Sequence, residues 1–269
     1  MYPTLQEKAI VDAAEQIMIE TMARYDPSHD KYHVQRVRKT ALTLAKSINP
    51  TPDLLIVELA ALLHDVLDKK YVSAEEAADP FTFFLPFFQR MAAEHGIDLV
   101  SDGRGQTIAR VIDNVSWSTE KKLREAGKWT AWHDSCVELH CVQDADRLDA
   151  IGAFGIMRCA SYSTVTNRPL HTPPDDPEHK YTSIQHFHDK LLHIRDRLKT
   201  GPGRKLGDRR HQVVSSPAGI TNLSPFAVVL VLIKGHALFF DSTAPRSSPP
   251  TQLLDFLASV EEEYQGTVL

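Results

Sequence analysis

The stretch LLIVELAALLHD, residues 54–65, decides the fold. Its first ten residues are apolar nearly all round, and a helix with that pattern is buried between other helices. The polar pair His64-Asp65 follows directly. Adjacent helix residues diverge by about 100°, so the pair can share one ion only where the helix end faces an open cavity. The segment therefore predicts a buried helix that delivers two polar side chains to a cavity.

Helical spacing extends over most of the remaining chain. Apolar residues recur at steps of three and four in two stripes, which are Val34, Val37, Ala41, Leu44 and Ile48, and then Ile184, Phe187, Leu191, Ile194 and Leu198. The string NPTP at 49–52 separates two predicted helices, and GPG at 201–203 is predicted to close a late one. No long stretch alternates with a period of two. The sequence predicts an all-α fold, a compact helical bundle that forms a single domain over residues 1–269.

Residues 213–252 differ in composition from the rest of the chain. Only Lys234, Asp241 and Arg246 are charged among these forty residues. The flanking strings KLGDRRHQ and LLDFLASVEEEYQG both look like parts of a polar-faced helix, and joining 211–212 to 253–254 gives one amphipathic helix. We interpret 213–252 as an insertion that interrupts the C-terminal helix, with translated intron sequence as its source. The alternative is a genuine hydrophobic hairpin or strand pair that covers the core.

The mature transcript tests this hypothesis. We expect messages that lack the codons for residues 213–252, because the flanking sequence then reads as one continuous helix. Sequencing the transcripts is the measurement. Uniform presence of these codons would rule out the intron.

Composition and charge narrow the class of protein. The net charge is −5, so the whole molecule offers no field for a nucleic-acid polymer. The most apolar window, residues 226–240, is shorter than the roughly 20 residues of a membrane span and contains Lys234 and His236. The three cysteines form no CxxC pair and no even disulfide framework. We expect a cytoplasmic protein with reduced cysteines and no membrane segment.

Four side chains spread over three predicted helices have the chemistry of metal ligands. They are His33 in SHDKYHVQRV, His64 and Asp65 in ALLHDVLDK, and Asp146 in QDADRLDAIGAFG. A mixed imidazole and carboxylate set suits a divalent ion such as Mn²⁺, with Fe²⁺, Co²⁺, Ni²⁺ or Mg²⁺ as alternatives. The competing interpretation treats them as ordinary polar residues at helix ends.

The order H…HD…D resembles the HD superfamily of metal-dependent phosphohydrolases. Further strings are similar to one branch of small bacterial and fungal HD-domain proteins regarded as nucleotide pyrophosphohydrolases: SHDKYHVQRVRKTA, AALLHDVLDKKY, VIDNVSWS, VQDADRLDAIGAFGIMR and IQHFHDKLLHIRDRLKTGPGRKLGDRRH. The likeness covers about residues 10–211 and resumes at 253. It implies an HD-domain helical bundle in which His33, His64, Asp65 and Asp146 hold the metal.

The resemblance also implies roles around that metal. Asp68 matches an acidic position just after the HD pair, so it is the candidate general base or water-orienting group, with Asp65 also catalytic; the alternative for Asp68 is a helix cap. Phosphoryl transfer needs cations near the phosphate oxygens. The candidate substrate-binding residues are His29, Lys69, Asn114, Arg147 and Lys190. Arg147 could instead pair with a nearby aspartate, Lys190 could lie on a solvated helix face, and Asn114 with Ser116 could cap a helix.

The function implied is hydrolysis of a small phosphorylated substrate, a nucleotide. The sharper expectation is attack of metal-bound water on a nucleoside triphosphate, giving the monophosphate and pyrophosphate. Two alternatives stay open: a nucleoside monophosphate phosphatase, and a catalytically silent nucleotide-binding or regulatory module. No coiled-coil repeat demands a partner chain, so we expect a monomer or a homodimer.

Overall fold

A computed structural model of the chain describes residues 2–68, 72–73, 75, 78–215, 258, 260, 261 and 263. These residues form α-helices and short 3₁₀ turns, and they contain no strand. The predicted all-α fold is therefore confirmed. Among them, no helix is both long and apolar enough to cross a membrane.

The described helices are joined by connections of unequal length. Their bounds are α1 Leu5–Met22, α2 Lys31–Lys46, α3 Leu54–Leu63, α4 Pro80–His95, α5 Arg104–Asn114, α6 Trp117–Glu125, α7 Ala131–Ser135, α8 Val137–Asp149, α9 Gly152–Val165, α10 Ser183–Asp189 and α11 Gly201–Ser215. Short 3₁₀ turns lie at His179–Tyr181, Leu191–His193 and Arg195–Arg197.

The chain divides into two compact units. The first comprises Met1–Asp146 and Lys199–Gly203, and the second comprises Arg147–Leu198 and the described residues from Arg204 onward. In the first unit, α3 is the central element: Leu55 through Leu63 are all buried. The all-round apolar pattern of this helix thus corresponds to burial on every side.

Polar side chains fix where the helices of the first unit begin. Thr4 and Glu7 form a reciprocal capping box at the start of α1. Asp30 caps α2 by accepting a hydrogen bond from the backbone N–H of His33, and Asp53 caps α3 through the N–H groups of Leu55 and Ile56. The caps at α2 and α3 fix the first residue of each of the two helices that carry the HD motif.

Two details of the predicted helices are wrong. The apolar stripe at 184–198 is buried throughout, but α10 ends at Asp189 and 3₁₀ turns follow. Lys190 has φ −134° and ψ −56°, which lies outside the helical region, and a spacing of three or four residues suits 3₁₀ turns as well. The GPG string at 201–203 starts α11 instead of closing a helix. Proline is preorganised for a first helical turn, so this position suits it.

Most of the predicted insertion, residues 216–252, lies outside the described residues, and the insertion stays a prediction. Upstream of it, α11 includes all of KLGDRRHQ, as expected. Downstream, Glu263 is helical and buried. Its carboxylate accepts hydrogen bonds from the backbone N–H groups of Ala153 and Phe154, at 2.7 and 3.2 Å. Glu263 therefore caps the start of α9 within the second unit.

A buried ion pair holds α2 against α3. Glu58 is only 4% exposed, although it sits on the most apolar helix. Arg38 donates to it at 2.5 and 2.7 Å and to Glu15 at 2.8 Å, and the hydroxyl of Tyr2 donates to Glu58 as well. These donors supply the partners that a buried carboxylate requires.

Arg38→Met tests this pair. Because the substitution leaves Glu58 buried without its cation, we expect the free energy of unfolding to fall by about 3 kcal/mol. Urea denaturation measures the loss. The control is Lys8→Met, which breaks the exposed Lys8–Asp12 pair and should cost less than about 1 kcal/mol. Similar losses in the two variants would contradict the prediction.

Candidate metal centre

Three elements of the first unit bring the four predicted ligands together. His33 lies in the first turn of α2, His64 caps the C-terminus of α3 with Asp65 next to it, and Asp146 lies on α8. Suitable ligand atoms of His33, His64 and Asp146 all lie within 4.8 Å of one another. Residues far apart in sequence thus converge as the HD pattern predicts.

The imidazole and carboxylate groups stand at ligand-like separations. Nε2 of His33 lies 3.3 Å from Oδ2 of Asp65 and 3.7 Å from Oδ1 of Asp146. The corresponding distances from Nε2 of His64 are 3.4 and 4.0 Å. Two atoms that each lie about 2.1 Å from one ion are about 3.0 to 4.2 Å apart, depending on the angle. The four distances therefore fit a shared ion.

The tautomer of His64 also fits a metal. Its Nδ1 lies 2.8 Å from the backbone oxygen of Ala61 and donates its proton there. In the neutral ring, Nε2 then presents a lone pair towards the two carboxylates. Histidines that bind metals commonly donate the other ring N–H in this way, which fixes the ring and raises its basicity.

The site stabilises positive charge. Burial lowers the pKa of His64, but the negative charges of Asp65 and Asp146 outweigh it and raise that pKa to about 9. Burial raises the pKa of Asp65, while His64 and His33 lower it well below its usual range. Two buried imidazoles, 1% and 8% exposed, thus face carboxylates. This donor set matches a divalent cation.

Tyr25 is a neighbour of the HD pair that the sequence did not reveal. Its hydroxyl lies 3.4 Å from the backbone oxygens of both Asp65 and Val66. Burial and the charge of Asp68 raise the pKa of Tyr25 to about 12, so it stays a donor at neutral pH. Nothing in the local pattern of DPSHD marks the preceding tyrosine, because its contact is made across forty residues of sequence.

Comparison with known proteins agrees with this geometry. The family model described as HD domain matches residues 31–151, a span that contains all four predicted ligands. The protein YpgQ of Bacillus subtilis is 36% identical over 185 residues, which are 68% of this chain and 78% of YpgQ.

The chain belongs to the HD domain family.

Solved structures share the HD fold. The Listeria innocua protein Lin1889 superposes with a TM-score of 0.55 and 28% identity, over 77% of this chain and 90% of Lin1889. The crystal structure of YpgQ superposes with a TM-score of 0.56 and 23% identity, over 88% of this chain and 99% of YpgQ. YpgQ has also been solved in complex with ADP. An HD-superfamily hydrolase from Bacillus thuringiensis superposes with a TM-score of 0.57 and 23% identity, over 86% of this chain and 98% of that protein. These likenesses show that the described part of the chain has the fold of these proteins.

His29 lies beside His33, one of the four predicted ligands. Its ring centroid is 6.2 Å from that of His33, in an edge-to-face arrangement. Nδ1 of His29 lies 2.7 Å from the hydroxyl of Ser28, which in turn donates to Asp26 at 2.5 Å. Ser28 is 2% exposed, so this chain of contacts orients His29. The structure thus places one predicted substrate-binding residue next to a predicted ligand.

Asn114 and Ser116 have structural partners. The amide nitrogen of Asn114 donates to the backbone oxygen of Arg110 at 2.8 Å, and its Oδ1 lies 3.2 Å from Nε2 of His133. Ser116 caps α6 by accepting from the N–H of Thr119. In the NVSWS motif Asn114 is thus buried, and the exposed Ser116 is the N-cap of α6.

The remaining predicted cations fall in different places. Arg147 is 4% exposed, and its guanidinium donates to the backbone oxygen of Arg197 at 2.8 Å. Lys190 follows α10 in the second unit, where burial together with the charges of Lys190 and Arg168 lowers the pKa of His186 to about 4. Lys69 lies outside the described residues.

Metal binding tests the centre. We expect Mn²⁺ at about one hundred times its Kd to stabilise the protein by about 2.7 kcal/mol, because the ion binds only the folded chain. Calorimetric titration gives the Kd, and urea denaturation with and without the ion gives the stabilisation. His64→Gln should abolish the effect, since it removes a buried nitrogen from the set.

His95→Gln is the matched control, because His95 lies at the end of α4 and belongs to no group of candidate ligands. Its response to Mn²⁺ should equal that of the wild type. Equal stabilisation of all three proteins would contradict a metal centre at His64.

Proposed function

We propose that this HD domain is a metal-dependent phosphohydrolase acting on a small nucleotide, and that it converts a nucleoside triphosphate to the monophosphate and pyrophosphate. The observation that supports the proposal is the convergence of His33, His64 and Asp146 within 4.8 Å, with Asp65 beside them. Without an ion, the carboxylates of Asp65 and Asp146 oppose the approach of an anionic phosphate. With a divalent ion it becomes an electrophilic centre.

We assign His33, His64, Asp65 and Asp146 as the residues that hold the ion, which we propose to be Mn²⁺. Imidazole and carboxylate together suit this ion, and no thiolate is present among the four. When bound, a divalent ion polarises a phosphoryl oxygen and lowers the pKa of coordinated water towards neutrality. The protein has to supply the orientation of substrate and the transfer of protons.

Asp68 is the proposed general base or water-orienting group. It follows Asp65 by three residues, and its charge reaches the Tyr25 hydroxyl, which itself contacts the backbone oxygen of Asp65. These interactions support a position of Asp68 near the HD pair, although α3 ends before it. A carboxylate in this place can accept a proton from the attacking water or align it.

Cationic and hydrogen-bonding side chains are proposed to bind the phosphates. His29 has the most direct support, because its ring lies beside His33 and is held by Ser28. The other predicted contacts, Lys69, Asn114, Arg147 and Lys190, stay predictions from the sequence. Developing charge on the transferred phosphoryl group needs such donors in addition to the ion.

A nucleotide is the proposed substrate because YpgQ, 36% identical over 185 residues, has been crystallised with ADP. The choice of a triphosphate rests on resemblance to the pyrophosphohydrolase branch of the family.

We also propose a cytoplasmic location. The three cysteines are free, and burial raises the pKa of Cys136 and Cys159 to about 11 and of Cys141 to about 12, so they are protonated thiols at neutral pH.

Turnover of a nucleotide panel with Mn²⁺ tests the proposal. We expect the wild type to release pyrophosphate from nucleoside triphosphates. Asp65→Asn should lower kcat/KM by about 100-fold or more, because metal polarisation contributes several kcal/mol to the barrier reduction. Pyrophosphate and orthophosphate are measured separately. Asp12→Asn, in an exposed pair on α1, is the control and should turn over normally.

The products separate the alternatives. Orthophosphate alone, released from monophosphates, would contradict the pyrophosphohydrolase and identify a nucleoside monophosphate phosphatase. Nucleotide binding without turnover in the presence of Mn²⁺ would identify a silent or regulatory module.

A further inference from the structure

The position of α8 decides whether the metal centre is complete. Three of the proposed ligands come from α2 and from the end of α3, which the Arg38–Glu58 pair joins. Asp146 alone comes from α8. Apolar side chains such as Leu139, Val142 and Leu148 bury α8 in the core, and polar side chains of the same helix add directional contacts.

Asp144 ties α8 to the segment that precedes α11. Its carboxylate accepts from the backbone N–H of Lys199 at 2.8 Å and of Thr200 at 2.7 Å, and from the hydroxyl of Thr200 at 2.8 Å. The side chain is completely buried. Buried hydrogen bonds to a charged acceptor are short and directional, so they fix one side of the helix.

The backbone is shaped to allow this contact. The hydroxyl of Thr200 also accepts from the N–H of Gly203 at 2.9 Å. A Cβ atom at Gly203 would lie 2.4 Å from Oδ2 of Asp144 and 2.6 Å from the Thr200 hydroxyl. Only glycine admits so close an approach, which explains the glycine at the start of α11.

Gln143 connects α8 to the end of α5. Its side chain is fully buried and donates to the backbone oxygen of Asn114 at 2.7 Å, and its Nε2 lies 3.5 Å from Glu120. Lys199 links the contacts of Asp144 to those of Gln143, because its ammonium group lies 2.9 Å from Oε2 of Glu120. The two ties therefore share Lys199 and Glu120.

The helical angles relate these ties to Asp146. Successive residues diverge by about 100°, so Gln143 and Asp144 leave α8 in two different directions. Asp146 lies about 200° from Asp144, on nearly the opposite side of the helix. A rotation of α8 that frees Asp144 consequently swings Asp146 away from His33 and His64.

We propose that Asp144 is a positioning residue for the metal centre: its clamp on Lys199 and Thr200, aided by Gln143, sets where Asp146 stands. The inference rests on the proposed function, because it assigns Asp146 a metal to bind. It predicts an effect on metal affinity that exceeds any effect on folding.

Direct titration of the metal-free protein with Mn²⁺ tests it, with the melting temperature measured on the same samples. Asp144→Asn turns an amide N–H₂ towards donors, and we expect the Kd for Mn²⁺ to rise ten- to hundredfold, the usual range for partners that orient ligands. Thr200→Val removes one donor and should raise the Kd severalfold, and Thr200→Ser should restore it.

Phe84→Leu is the matched control, because it shortens a buried side chain of α4, a helix of the same unit that carries neither a proposed ligand nor the clamp. Its melting temperature should fall while its Kd stays within twofold of the wild type. An unchanged Kd in Asp144→Asn would overturn the inference. If that variant does not fold, an unchanged Kd in Thr200→Val would overturn the inference. A wild type that binds no Mn²⁺ would overturn the proposed function itself, which distinguishes the two failures.

Discussion

The structure of the first unit depends on charge compensation at one buried place. His33 and His64 are almost fully buried and face the carboxylates of Asp65 and Asp146 at 3.3 to 4.0 Å. The two carboxylates are 17% and 30% exposed, and carboxylates that face the same imidazoles repel each other, so the arrangement needs positive charge. Protons on the imidazoles can supply it, and a divalent ion supplies more. The same constraint explains why the surrounding helices are held by specific polar contacts.

Each ligand is held by a different device. The cap from Asp30 fixes the backbone of His33, and the Ala61 carbonyl fixes the ring of His64. The Tyr25 hydroxyl contacts the backbone of Asp65. The clamp at Asp144 is proposed to do the same for Asp146. Except for the helix cap and the bond to Ala61, these contacts join distant parts of the sequence, so the geometry of the centre is a property of the folded unit.

This division explains what could be predicted from the sequence. The all-α class and the buried helix α3 follow from local spacing, whereas the resemblance to the HD superfamily implied the convergence of the ligands, and the structure agrees with these predictions. Tyr25 and the partners of Asn114 could not be predicted, because they depend on contacts across 40 and 19 residues. The end of α10 and the start of α11 were also missed. Apolar spacing suits α and 3₁₀ turns alike, and Gly203 serves a contact with Asp144 that no local pattern encodes.

The centre combines two ways of holding a residue, and they have different sensitivities. His64 and Asp65 follow a helix whose apolar residues are buried on every side, so many small contacts fix their position and no single contact dominates. Asp146 lies on a helix that is also buried, through Leu139, Val142 and Leu148, and to which Gln143 and Asp144 add a few short hydrogen bonds. Losing one methyl group from α3 should move the HD pair little, whereas losing one acceptor on α8 removes several bonds together. Precision at a metal site therefore comes from the polar clamp, and the apolar core supplies the rigid body on which that clamp acts.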